Sequence, residues 1–260
     1  MALPQMHNIN AFLYRDGALV PAEIPVSAEY AVVLSINGNP LVSIACSGSD
    51  FRELALGHLL AEGVIARAGE VASLEIDETA LTINAVTAQT DEMIDRLFRI
   101  RSIASGCGQG PGAGAEENLP RMIALPRVRA ALVTGIMTDF LRFSETHSLT
   151  HGVHSAALYS TEGEQLAFFE EIGRHNAVDK VLGRALMGGT DLARCMLFST
   201  GRLSSEIVLK SARAALPVLV SRAAPTTRAV DIARRCNIML VGRVRPSSFQ
   251  VFHGEASLEC

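Results

Sequence analysis

Tryptophan is absent from this 260-residue chain, and Phe and Tyr together make up only 5% of it. Its core must therefore be aliphatic, and a nucleic-acid face that stacks bases on interleaved aromatics is disfavoured. No apolar run approaches the ~20 residues that span a bilayer. Residues 1–10 carry no Lys or Arg and lead into no apolar stretch of the kind that marks a secretory signal. The five cysteines, Cys46, Cys107, Cys195, Cys236 and Cys260, are scattered and form no C-x-x-C pair, which argues against a disulfide framework and a structural zinc site. A hydrophobic content of 48% with a net charge of only −4 excludes intrinsic disorder as a class. A cytoplasmic protein with reduced thiols is expected, without membrane insertion or a nucleic-acid partner. At roughly 100–200 residues per domain, it should hold one large or two modest domains.

The small net charge conceals a polarity. Residues 1–120 hold 15 acids against 6 bases, whereas residues 202–245 hold 9 bases against 2 acids. A basic stretch in an acidic chain invites an anionic ligand. Solvated helix faces are the plain alternative.

Hydrophobic periodicity divides the chain. Val32–Asn37 and Leu41–Cys46 flank an Asn37-Gly38 turn, a hairpin signal. Asp50 and Glu53 have the spacing of a capping box ahead of a helix that Gly63 would end. Strands are expected at 74–76 and 81–86, and a short amphipathic helix at 91–100. Five glycines and Pro111 within residues 102–114 cannot sustain a helix or central strand. We read this as a mobile loop (105–120) between a small N-terminal α/β domain (1–104) and a second domain (121–260). There, strands alternate with helices of 10–13 residues, the pattern of a mostly parallel sheet covered by helices.

Five stretches could carry chemistry. Cys107 lies between Gly106 and Gly108, neither of which can shield its sulfur, and an exposed thiolate is a nucleophile or sulfur carrier. An incidental loop cysteine is the alternative, and Cys46, Cys195 and Cys236 read as small buried hydrophobes. Between a strand and a helix, Glu170 and Glu171 precede Gly173-Arg174-His175-Asn176, with Asp179 and Lys180 following. Ligands bind at that edge of open α/β sheets, with Asn176 suited to cap the helix. Thr200-Gly201-Arg202 follows another apolar strand, and hydroxyl, amides and guanidinium together suit phosphate. Ala224-Pro225-Thr226 repeats the theme, so three turns could converge on one crevice. His151 and His154 have no third ligand at metal spacing, which makes His154 a hydrogen-bonding residue.

These stretches together resemble the formate dehydrogenase accessory sulfurtransferase family from about Glu29 to Phe252. The strongest likeness is Glu171-Ile172-Gly173-Arg174-His175-Asn176-Ala177-Val178-Asp179-Lys180. It extends to Gly201-Arg202, Ala224-Pro225-Thr226 and Leu240-Val241-Gly242. The resemblance implies a cytidine-deaminase-like C-terminal domain and a homodimer. It further implies that sulfur is accepted from a cysteine desulfurase as a persulfide on Cys107. That sulfur would pass to the molybdenum (or tungsten) bis-pterin guanine dinucleotide cofactor of formate dehydrogenase, whose apoenzyme is a further partner. Cofactor contacts are implied at Arg243, Val244, Arg245, Pro246, Ser247 and Ser248, and at His154, Gly173, Arg174, His175, Asn176, Asp179, Lys180, Gly201 and Arg202. Gly110 stands where the family commonly has a second cysteine, and His151 where Gly is usual. A chaperone that binds the cofactor without carrying sulfur is the alternative. The zinc-deaminase motifs H-x-E and P-C-x-x-C are absent, which disfavours deaminase chemistry.

Overall fold

A computed structural model describes residues 3–89, 101–103, 109–111 and 119–260, with 101–103 and 109–111 as backbone only. The expected helix at 91–100 lies outside the described residues, as does Cys107.

The chain opens with a ribbon of β1 (Met6–Arg15) and β2 (Ala18–Ser27), turned by Asp16 and Gly17, both at positive φ. Next come β3 (Tyr30–Ile36), β4 (Asn39–Cys46), α1 (Phe51–Glu62), β5 (Val71–Asp77) and β6 (Thr82–Thr87). The last four strands form a sheet of order β4-β3-β6-β5, and its apolar face packs on α1. Gly63 ends α1 at φ 78°, a left-handed conformation that costs glycine little. The expected capping box does not form. Asp50 is itself left-handed and makes no side-chain cap, and Glu53 instead turns to Arg184 at 2.6 Å. The short strands β7 (Arg101–Ile103) and β8 (Gln109–Pro111) pair with each other.

The larger sheet has the order β11-β10-β12-β13-β14-β15, from β10 (His154–Ser160), β11 (Gln165–Glu171), β12 (Cys195–Ser199), β13 (Val218–Ser221), β14 (Met239–Arg245) and β15 (Ser248–His253). Only the β12–β13 and β13–β14 pairings are parallel; β10–β11, β10–β12 and β14–β15 are antiparallel. The sheet is therefore mixed rather than mostly parallel. Short connections return the chain beside its own strand at the flanks, whereas parallel neighbours need a helical crossover. Those crossovers are α5 (Ser205–Arg213) and α6 (Thr227–Cys236). Thr226 caps α6, its hydroxyl accepting from the Ala229 amide.

Alternation along each strand separates two cores. Leu158, Leu197, Leu219 and Leu240 face α1, α5, α6 and α4 (Arg174–Met187). Tyr159, Phe198, Val220 and Val241 face α2 (Ala130–Phe140), which follows the two-residue strand β9 (Val128–Arg129). Burial on both faces explains the nearly unbroken apolar runs of these strands. The first core continues into the N-terminal sheet through α1. Helices α1 and α4 cross where Gly57 meets the Asp179 carbonyl and Gly183 meets the Glu53 carbonyl, approaches that leave no room for a Cβ. A short helix, α3 (Glu145–Thr150), and a terminal strand, β16 (Leu258–Glu259), which pairs with β9, complete the described α-helices and strands. No helix among the described residues is long and apolar enough to cross a membrane.

Candidate functional site

Strand direction decides which loops meet. β11, β12, β13 and β14 all end at one edge of the sheet, and antiparallel β10 begins there. The turns 172–173, 200–204 and 222–226 therefore share that edge with His154 and the β14–β15 turn. A cavity of about 480 Å³ opens among them, within the range that small-molecule sites occupy. Ser144, His147, His151, His154, Thr200 and Arg222 supply its polar lining, and Leu141, Val153 and Ile172 its apolar walls. No carboxylate is among these lining residues.

Each polar group has a local cause. Glu170 leaves β11 toward α3 and accepts from the Thr146 and His147 amides and the Ser144 hydroxyl. A carboxylate thus occupies the α3 N-terminus and holds the helix against the cavity. His147 lies 3.1 Å from the Val153 carbonyl through Nδ1, and its ring meets His151 edge-on at 5.4 Å. His151 ends α3 at φ 52°, a left-handed conformation uncommon for a residue other than Gly. Burial lowers the His154 pKa, with Arg174 and Arg202 adding to the effect, so this imidazole is neutral at pH 7. The Thr200 hydroxyl accepts from the Ser155 amide at 3.0 Å. Arg222 is exposed, with its backbone carbonyl holding Arg245 at 2.9 Å.

The residues expected to bind ligand separate into two groups. His154 lines the cavity. Arg174 starts α4 and packs so closely on Gly201 that a Cβ at 201 would lie 2.7 Å from its own Cβ. Arg202 is exposed beside them. Arg243, with its amide donating to Ala223, and Arg245, Pro246, Ser247 and Ser248 are exposed where β14 turns into β15. Gly173 caps α4 through its backbone.

The others are engaged with the protein itself. Asn176 sits inside the first turn of α4 rather than at its cap and donates to the Ala45 carbonyl at 2.6 Å. The Val244 side chain is buried in the α2-side core. Asp179 is buried against Lys210, with oxygens 2.5 and 2.7 Å from the ammonium, and Oδ2 is 3.4 Å from His58 Nδ1. Burial pushes this carboxyl up, but Lys210 and His58 outweigh it and hold it below its ordinary value. Lys180 is fully buried 2.7 Å from Glu171, whose carboxylate also accepts from the Ser47 and Ile172 amides. These two pairs join α4 to α5 and to the N-terminal sheet. His175 Nε2 lies 3.0 Å from Glu206 Oε2 and 3.2 Å from the Ser204 hydroxyl. Burial, then Lys210 and Arg174, bring His175 down to about 3, while burial raises Glu206. At neutral pH their contact is a hydrogen bond from a neutral imidazole.

Sequence reasoning passed over Ser144, His147 and Arg222. Arg222 directly follows an apolar strand, and His147 stands one helical turn before His151, so both carried a readable signal. The thiols of Cys46 and Cys195 are each raised to about 11 by burial, so both are inert at neutral pH. No group of three or more His, Cys, Asp or Glu capable of holding a metal ion occurs among the described residues.

Comparison with known proteins extends over the same elements. Residues 27–259 match the model of the FdhD/NarQ family. The sulfur carrier protein FdhD of Bacillus licheniformis is 32% identical over 93% of this chain and 92% of its own length. That of Streptomyces avermitilis is 34% identical over 93% and 91%. The crystal structure of a formate dehydrogenase accessory protein from Desulfotalea psychrophila superposes with a TM-score of 0.82 at 25% identity, covering 98% of this chain and all of the other. The chain belongs to the FdhD/NarQ family.

Proposed function

We propose that this protein is a sulfur carrier for the maturation of formate dehydrogenase. In this role it takes sulfur from a cysteine desulfurase onto Cys107 and passes it to a molybdenum bis-pterin guanine dinucleotide client held at the basic edge of the larger sheet. The observation that carries the reading is that edge. A nucleotide-sized cavity without a lining carboxylate has Arg222 in its wall, with Arg245 held on the Arg222 carbonyl and the charges of Arg174 and Arg202 acting on its His154. Guanidinium groups and hydroxyls at strand ends are the donor set that a diphosphate needs. The sulfur carrier proteins to which the chain is similar support the other half of the reading.

The chemistry asked of the chain is simple. The Cys107 thiolate attacks the outer sulfur of a donor persulfide; a new S–S bond forms, the donor S–S bond breaks, and the donor leaves as a thiolate. Arg222 and its neighbours hold the client's phosphates, and neutral His154 offers a hydrogen bond without adding charge. Burial keeps Cys46 and Cys195 protonated, so they do not compete for the sulfur. The working unit is a homodimer.

The test is complementation of a strain lacking this protein. Cys107→Ser should abolish formate dehydrogenase activity while guanosine diphosphate binding to the purified variant stays at the wild-type level. Full activity with Cys107→Ser would refute sulfur carriage and favour a chaperone.

A further inference from the structure

His147 is exposed and lines the cavity, yet its ring is held in place. Nδ1 is 3.1 Å from the Val153 carbonyl, and the ring meets that of His151 edge-on with centroids 5.4 Å apart. The helix that carries it is fastened at both ends. Glu170 accepts from the His147 amide at 3.1 Å, and the Thr150 hydroxyl lies 2.8 Å from that of Ser27. A side chain fixed before a ligand arrives loses little rotamer freedom on binding. The Val153 contact also decides what each ring nitrogen can do. A carbonyl only accepts, so Nδ1 carries the hydrogen, and in the neutral ring Nε2 carries a lone pair.

Such an acceptor is scarce among the side chains of this cavity. No carboxylate lines it, and the Arg222 guanidinium only donates. The hydroxyls are engaged within the wall: Ser144 donates to Glu170, Ser155 donates to Ser144, and Thr200 accepts from the Ser155 amide. His154 Nδ1 is 3.5 Å from the Thr200 hydroxyl, a contact that either tautomer can make. We propose that His147 selects the base of the bound nucleotide, its Nε2 accepting a hydrogen bond from the N1–H and 2-amino edge of guanine. Adenine has a lone pair where guanine has N1–H, so adenine would set two lone pairs against each other. A site that hydrogen-bonds one group rejects the analogue lacking it. Arg222 cannot make this distinction, because the phosphates it suits are common to all nucleoside diphosphates. The role rests on the reading of this cavity as the client's nucleotide site, and adds the residue that tells guanine from adenine.

Calorimetric titration of the full chain with guanosine diphosphate and with adenosine diphosphate tests it. The wild type should bind the guanosine form roughly three- to tenfold more tightly, the worth of about one hydrogen bond. His147→Leu should remove the preference by weakening guanosine diphosphate alone. His147→Gln, whose amide oxygen can stand in for Nε2, should keep part of it. A preference unchanged in His147→Leu would overturn the role, as would an equal loss for both nucleotides, the mark of a merely structural residue. A wild type that binds both equally would overturn the role and leave the nucleotide site standing; one that binds neither would overturn both. The unsubstituted chain gives a second readout. Imidazole ordinarily gains its second ring proton between about pH 5 and 8, and a protonated Nε2 cannot accept. The titratable and charged groups around His147 are His151 on α3, Glu170 from β11, His154 from β10 and Arg222 from the turn after β13. They act on both diphosphates alike, so the affinity ratio isolates the base. That ratio should shrink toward one between about pH 8 and about pH 5.5, and a constant ratio would overturn the role.

Discussion

At the scale of single residues, the family motif does more structural work than its position at a ligand edge suggests. Lys180 and Glu171 are both fully buried, and neither can lose its partner cheaply. Lys180→Met should destabilise the protein by about 3–5 kcal/mol in urea unfolding, whereas Glu171→Leu with Lys180→Met should recover much of that loss. Glu171→Asp keeps the charge and should be mild. His175 gives a pH signature. Its pKa in the folded state, about 3, lies below the unfolded value of about 6.5, so the unfolded chain binds the extra proton first. Stability is therefore lost as pH falls from about 6.5 toward 3, by at most about 1.4 kcal/mol per pH unit from this group. His175→Gln should flatten that part of a stability-against-pH curve; an unchanged slope would count against a neutral buried imidazole. The sequence marks these residues as special without saying why. Charge and motif spacing placed Asp179 and Lys180 beside a strand end, but their burial depends on α1 and α5 arriving from distant parts of the chain.

Elements were more legible than their partners. Periodicity located α1 and the strands of the N-terminal sheet to within a few residues, and the strand–helix alternation of the second domain, because each element buries a continuous apolar face. Direction was not legible at the sheet flanks. β10, β11 and β15 are apolar enough to pass for parallel strands, and only the short connections make them antiparallel. The β1–β2 ribbon was missed although Asp16-Gly17 is a hairpin turn signal, because exposed apolar side chains blur the in-and-out alternation of its strands. Close approach of elements was likewise hidden: nothing local distinguishes Gly57 or Gly183 from a tolerated helical glycine. Gly183→Ala should force α1 and α4 apart and cost about 1–3 kcal/mol or more, seen as a lowered urea midpoint. Gly69→Ala, with open space around it, should cost far less.

At the scale of the whole molecule, the fold converts a charge asymmetry into a site. Arg174, Arg202, Arg222, Arg243 and Arg245, distant in sequence, stand at or beside one sheet edge because four strands end there in the same direction. An anion held by several guanidinium groups should bind with affinity that falls as salt rises. Arg222→Ala should weaken guanosine diphosphate binding by about 1.5–3 kcal/mol in calorimetric titration while leaving the unfolding midpoint near wild type. Retention of full affinity would move the ligand away from this cavity. The basic edge explains binding alone; carriage of sulfur rests on Cys107. The most direct measurement is the intact mass of the wild-type protein after incubation with a cysteine desulfurase and L-cysteine, beside Cys107→Ser. A gain of one sulfur atom is expected on the wild type, removed by a thiol reductant, with no gain on the variant. A wild-type mass unchanged by the desulfurase, or an equal gain on Cys107→Ser, would contradict it.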